Sequence, residues 1–190
     1  MVALILGSAA CLDADLEAFF ALPVRAFIVV ACNDAGWRWP GTLHHWFTLH
    51  PERFSEWEPR RAALGHPPGY VRWTVHANES AGGPVDRTMA CETPGMRGDG
   101  TSGLSAAWLG WKLVGRGVLC GVPLDRRPHM PGATALGPFE TADAAADEAR
   151  LARARAVWER DTPLFRGRLR SMSGWTRELL GSPTEEWLWA

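Results

Sequence analysis

The segment Asp99-Gly100-Thr101-Ser102-Gly103-Leu104 runs into the apolar stretch 105–111 and then into Val118-Leu119-Cys120-Gly121-Val122, which reads as a tight turn, a helix and a strand. Small and hydroxyl residues at a helix start let backbone N–H groups approach an anion, which the positive end of the helix favours. The chain opens in a similar way, with residues 2–6 meeting Gly7-Ser8-Ala9-Ala10 ahead of a helical pattern. Two such junctions suit a phosphate-bearing ligand, with Gly7, Ser8, Thr101, Ser102, Gly103 and Gly121 as candidate contacts. Neither junction is a P-loop or a G-x-G-x-x-G fingerprint, because neither string occurs. Ordinary tight turns of an α/β sheet are the alternative reading.

Groups able to move a proton lie near the other strand ends. His50, beside Pro51, is a candidate general base or phosphate contact, since imidazole titrates near neutral pH. Asp125 and His129 bracket Arg126 and Arg127 in a Pro-rich segment. They could bring an acid, a base and two phosphate-pairing guanidinium groups over a ligand, or form a solvated charged loop. Asn33 and Asp34 follow the second apolar run. Asp34 and Asp99 could hold a divalent cation on the phosphates, or form turns through their own side chains. Arg170 and Ser173 are candidate contacts near the C-terminal end, with helix capping the competing role for Ser173. His44, His45 and His50 do not make a metal site, because strand alternation divides them between two faces.

Composition sets the bounds on these readings. At 190 residues the chain is long enough for one domain with a sizeable core. A net charge of -1 gives no general pull toward nucleic acid or an anionic membrane. Cys11, Cys32, Cys91 and Cys120 are widely spaced, and the sequence predicts reduced thiols in a cytoplasmic protein with no signal peptide and no transmembrane segment. Eleven tryptophans are an unusual load. They belong in the core, although Trp37, Trp39, Trp46 and Trp57 could stack on a base or sugar.

The elements that must position these groups follow from periodicity. Strands are expected at 2–6, 24–32, 43–49, 70–76 and 117–122, with a short one near 87–91 inside the long connection 77–100. Helices are expected at 13–22, 51–64, 101–113, 141–160 and 175–180. Residues 168–172 are either a last strand or a helix end. Residues 123–138, with four prolines, form an irregular loop and a candidate lid. The order predicts a single α/β domain over 1–190, Rossmann-like, whose mostly parallel sheet is flanked by helices and whose ligand crevice lies at the carboxyl ends of the strands. The C-terminal part, 141–190, reads as mainly helical.

Three separated strings carry a family resemblance. Leu6-Gly7-Ser8-Ala9-Ala10-Cys11-Leu12, Ala31-Cys32-Asn33 with His50-Pro51, and Gly100-Thr101-Ser102-Gly103 through Leu119-Cys120-Gly121-Val122 with Asp125 together resemble the Rossmann-like group that contains the small bacterial sialyltransferases and the 6-hydroxymethylpterin diphosphokinase-like proteins. The likeness covers about residues 1–126. It implies a site for cytidine or another nucleotide carrier, with Gly7 and Ser8 near phosphate, Asn33 near sugar or phosphate, and Thr101, Ser102 and Gly103 closing around the nucleotide. The chain departs from the group at two points. No His occurs between residues 77 and 100, where the sialyltransferases carry their base, and Tyr70 is the sole tyrosine where they use a pair.

The expectation is a nucleotide-dependent transferase that moves a sugar or a phosphate-containing group from a small-molecule donor, with no membrane partner. A non-catalytic nucleotide-binding or sequestering protein is the alternative. A nucleic-acid base-modifying enzyme of a mobile element is a further one, which the overall charge does not support.

Overall fold

Residues 2–6 are apolar at every position, and a strand of that kind needs a packed layer on each face. The computed structural model describes residues 1–90, 101–133 and 144–190. Its strands are β1 (Val2–Leu6), β2 (Phe27–Cys32), β3 (His45–Phe47), β4 (Val71–Val75), β5 (Arg87–Met89), β6 (Gly117–Cys120) and β7 (Leu169–Ser171). Its helices are α1 (Leu12–Phe20), α2 (Ala35–Arg38), α3 (Phe54–Ala63), α4 (Ser102–Val114), α5 (Ala144–Asp161), α6 (Gly174–Leu180) and α7 (Glu185–Trp189). The seven strands form one sheet in the order β5-β4-β3-β2-β1-β6-β7, and every neighbouring pair is parallel. The protein is a single Rossmann-like α/β domain.

The side-chain period of two divides each central strand between two cores. Ala3 and Ile5 of β1 pack with Val30, Leu119 and the buried face of α4, whereas Val2, Leu4 and Leu6 pack with Val29, Ala31, Phe19 and Trp46 on the other side. Helix α4 lies close on the sheet because Gly110 has no side chain; a Cβ there would come within 2.8 Å of the Ala3 methyl. Thr101 caps α4, its side chain accepting from the Leu104 N–H.

Several elements differ from the sequence reading. The second strand starts at Phe27, where pairing with Val2 begins, and the third is only His45–Phe47. The helix expected at 51–64 is a 3-10 turn, Pro51–Arg53, followed by α3. Residues 169–171 form a strand, which resolves the open choice at 168–172. Helices α2 and α7 were not anticipated. The turn-forming string Asn33-Asp34-Ala35-Gly36 masks α2, while α7 does carry a signal, the Thr184 cap before Glu185 and Glu186. Cys91, Asp99 and residues 134–143 lie outside the described residues. Among the described residues no helix is long and apolar enough to cross a membrane.

Of the four tryptophans offered for stacking, Trp46 and Trp57 belong to the core and Trp37 and Trp39 pack against it. Trp46 is fully buried, stacks on Trp57 at 5.9 Å and donates its indole N–H to the Asn33 carbonyl. Trp37 donates to Asp34 Oδ1, and Trp39 to the Thr42 carbonyl.

Candidate functional site

The chain leaves β1 toward β2 on one side and reaches β6 on the other, so the topological switch point falls between β1 and β6, where open α/β sheets place ligands. At that point Gly7 and Gly121 meet. A Cβ on Gly7 would lie 2.2 Å from the Gly121 carbonyl oxygen, and one on Gly121, at φ +69°, would lie 2.6 Å from the Gly7 oxygen. These glycines are therefore required first by strand packing. Above them opens a cleft of about 390 Å³, a size that suits a small-molecule ligand.

The cleft collects most of the expected residues. Gly7, Ser8, Asn33, Asp34, His50, Thr101, Ser102, Gly103, Gly121, Asp125 and His129 all line it. Among the described residues, nothing accepts from the backbone N–H of Ser8, Ser102 or Gly103. Two of these belong to the first turn of α4, where unpaired N–H groups and the helix dipole combine to hold an anion.

Three expected contacts stand elsewhere. The Arg126 guanidinium pairs with Glu148 on the exposed side of α5, outside the cleft. Arg170 donates to the carbonyls of Gly167, Leu169 and Leu180, which makes it a brace for the β7 turn. Ser173 is buried, and its hydroxyl donates to Asp15 Oδ2 (2.7 Å) instead of capping α6. Asp15 also accepts the Gly121 N–H at 2.8 Å, so Gly121 lends its backbone N–H to the protein and not to a ligand. Cys11 lies beside this carboxylate, and burial pushes its thiol above the ordinary range.

Of the arginines in the wall of the cleft, sequence reasoning named Arg127 and missed Arg53, Arg150 and Arg153. Asp125 accepts the Arg127 backbone N–H at 3.0 Å and pairs with its Nε at 3.2 Å, so Asp125 orients Arg127. Helix α5 is fastened above the β6 end, where Arg155 donates to the Leu124 carbonyl and Trp158 to Thr101 Oγ1. Four arginines and the acids Asp34 and Asp125 line the cleft, and from outside its lining Glu56 pairs with Arg53 and Asp147 with Arg150. Asn33 (φ +50°) and Leu124 (φ +46°) hold left-handed backbone in the same wall, strain of a kind that concentrates at functional sites.

The described part of the segment expected to act as a lid, residues 123–133, is docked on the end of β1. Ala10 N–H donates to Pro128 O and Met130 N–H to Ser8 O, both at 2.8 Å, with an antiparallel bridge between Ala9 and His129. His129 is thereby fixed beyond β1. His50 stands beyond β3, two strand spacings or about 10 Å away, with its Nδ1 3.3 Å from Glu52 Oε1. A carboxylate on one imidazole nitrogen leaves the other to exchange a proton. Tyr70 is tied to Glu58 and faces away from the cleft.

Among the described residues there is no group of three or more His, Cys, Asp or Glu side chains that could hold a metal ion, and Asp99 lies outside them. No protein-family model, characterised protein or solved structure matches the chain.

Proposed function

We propose that the protein is a nucleotide-dependent transferase whose donor phosphates sit between the α4 N-terminus, Ser8 and the Arg127, Arg150 and Arg153 guanidinium groups. The observation that carries this reading is the convergence of unpaired N–H groups and arginines in the cleft at the switch point. Preorganised donors of this kind hold phosphate in the ground state and stabilise the charge it gains on leaving. In the proposed step an acceptor hydroxyl oxygen forms a bond to the transferred carbon. The bond from that carbon to the donor phosphate oxygen breaks, its electron pair stays on the phosphate, and the hydroxyl proton passes to His50, steadied by Glu52. Thermal-shift measurement against nucleoside mono- and diphosphates and nucleotide sugars tests the reading. Stabilisation by at least one of these is expected, and a flat response to all of them overturns it.

A second reading, binding without turnover, is favoured by the position of Tyr70, which cannot steady a leaving phosphate from its place against Glu58. Calorimetric binding of a nucleotide sugar with no product after long incubation would decide for it.

A further inference from the structure

The end of the sheet opposite the cleft gathers several cations around the C-terminal residues, where Arg116 donates to the Trp187 and Leu188 carbonyls and Ala190 lines the same depression. Arg116 directly precedes β6 and Arg168 directly precedes β7, with Arg166 two residues earlier at φ +50°. With Trp111 and Trp189 these three arginines line a second depression, of about 700 Å³. Arg116 and Arg170 each stand 5.2 Å from the centre of the Trp187 ring, and Arg25 stands 4.2 Å over Trp189. Several arginines elsewhere pair with acids, as Arg72 does with Asp86, Arg126 with Glu148 and Arg150 with Asp147. Among the described residues no carboxylate pairs with Arg25, Arg116, Arg166, Arg168 or Arg170, although Glu185 and Glu186 lie in the first turn of α7. Burial and then the neighbouring Arg168 push the Arg116 guanidinium below its ordinary range, a sign that like charges crowd here.

Crowded guanidinium groups are relieved by an anion, and their planar fork matches phosphate oxygens. Indole rings between them add flat apolar surface of the kind on which bases stack. The surface is a depression, which admits a strand more readily than the flat face of a bilayer. We infer that this face binds single-stranded nucleic acid, its phosphodiester backbone held by Arg116, Arg166 and Arg168 and a base stacked on Trp189, which is 43% exposed.

Fluorescence anisotropy with a labelled oligothymidylate tests this on the full chain. Three phosphate contacts to a single strand predict that log affinity falls against log salt with a slope of about −2. The double variant Arg166→Gln/Arg168→Gln should bind roughly tenfold more weakly, with an unchanged melting temperature because neither side chain has a hydrogen-bond or ion-pair partner among the described residues. Arg153→Gln, in the cleft, should bind the oligonucleotide like the parent. The inference is overturned by absence of binding, by equal binding of the double variant, by loss of binding only in Arg153→Gln, or by binding confined to phosphatidylglycerol vesicles.

Discussion

Asn33 combines two duties that pull on its choice of residue. Its backbone is left-handed, and its side-chain oxygen accepts from Thr48 Oγ1 at 2.9 Å while its carbonyl accepts from Trp46. Left-handed backbone costs a residue with a Cβ about 1–2 kcal/mol, and asparagine is among the few that tolerate it. Asn33→Ala should therefore lower stability by about that amount, and Asn33→Gly should recover part of it in urea denaturation; equal stability of the two would show that the backbone carries no strain. Ser102 is the cleaner probe of the cleft, because its hydroxyl makes no hydrogen bond within the described residues. Ser102→Ala should leave the melting temperature in place and weaken nucleotide binding about tenfold, the value of one hydrogen bond to a charged group. Gly7 and Asn33 were legible because they follow apolar runs at strand ends, and Ser102 because small and hydroxyl residues open a helix there. Arg150 and Arg153 were not, since arginines in an Ala-rich helix read as a solvent face and nothing local says that α5 passes over the crevice. Arg126 and Arg127 were indistinguishable for a similar reason: irregular backbone has no period to tell which side chain turns inward.

Elements are joined here by polar anchors as much as by apolar faces. Arg61 of α3 is buried without an acid partner, and it donates to the carbonyls of Gly36, Trp39, Gly41 and Pro67. It ties α2 and the two loops around it to α3. A buried carbonyl left unpaired costs about 1–3 kcal/mol, so Arg61→Met, which strands the buried Gly36 carbonyl and frees three more accessible ones, should cost about 2 kcal/mol or more. A loss below about 1 kcal/mol in chemical denaturation would mean that water replaces the guanidinium. β3 is held to β4 partly by the Trp73 indole N–H, which donates to His45 Nδ1 at 3.1 Å. Burial, and then the nearby His44 and Arg87, lower the His45 pKa from its ordinary 6.5. A group whose folded pKa is depressed binds its proton more readily in the unfolded chain. Its contribution is therefore complete above 6.5 and is lost as pH falls through the folded value. Stability should fall as pH drops below about 6.5, and His45→Asn should flatten that dependence; parallel pH profiles would rule His45 out. Long periodic elements such as α4 and α5 could be read from sequence. α2 could not, because Gly36 seemed to punctuate a turn, whereas it is glycine so that the Trp46 ring can lie where its Cβ would be.

At the scale of the whole molecule, the α/β class and the end of the sheet that carries the cleft were readable, because buried parallel strands and glycine-rich strand ends have local signatures. Strand order was not, since nothing inside residues 2–6 names their neighbours. The basic face escaped for the same reason: its arginines are scattered along the chain, and the net charge of -1 conceals them. The central position of β1 also has a consequence for time. It is the first strand to leave the ribosome, yet one of its edges waits for β6, whose Cys120 is the register partner of Leu6, more than a hundred residues later. Partners so distant slow folding and leave an apolar edge open meanwhile. A nascent chain arrested before residue 117 has emerged should remain sensitive to protease throughout and gain resistance in one step once β6 and β7 are out; early resistance across residues 1–90 would contradict this. Until β6 emerges, that open edge can pair with other chains, so the danger to this protein lies in the interval before the sheet closes and not in the finished sheet.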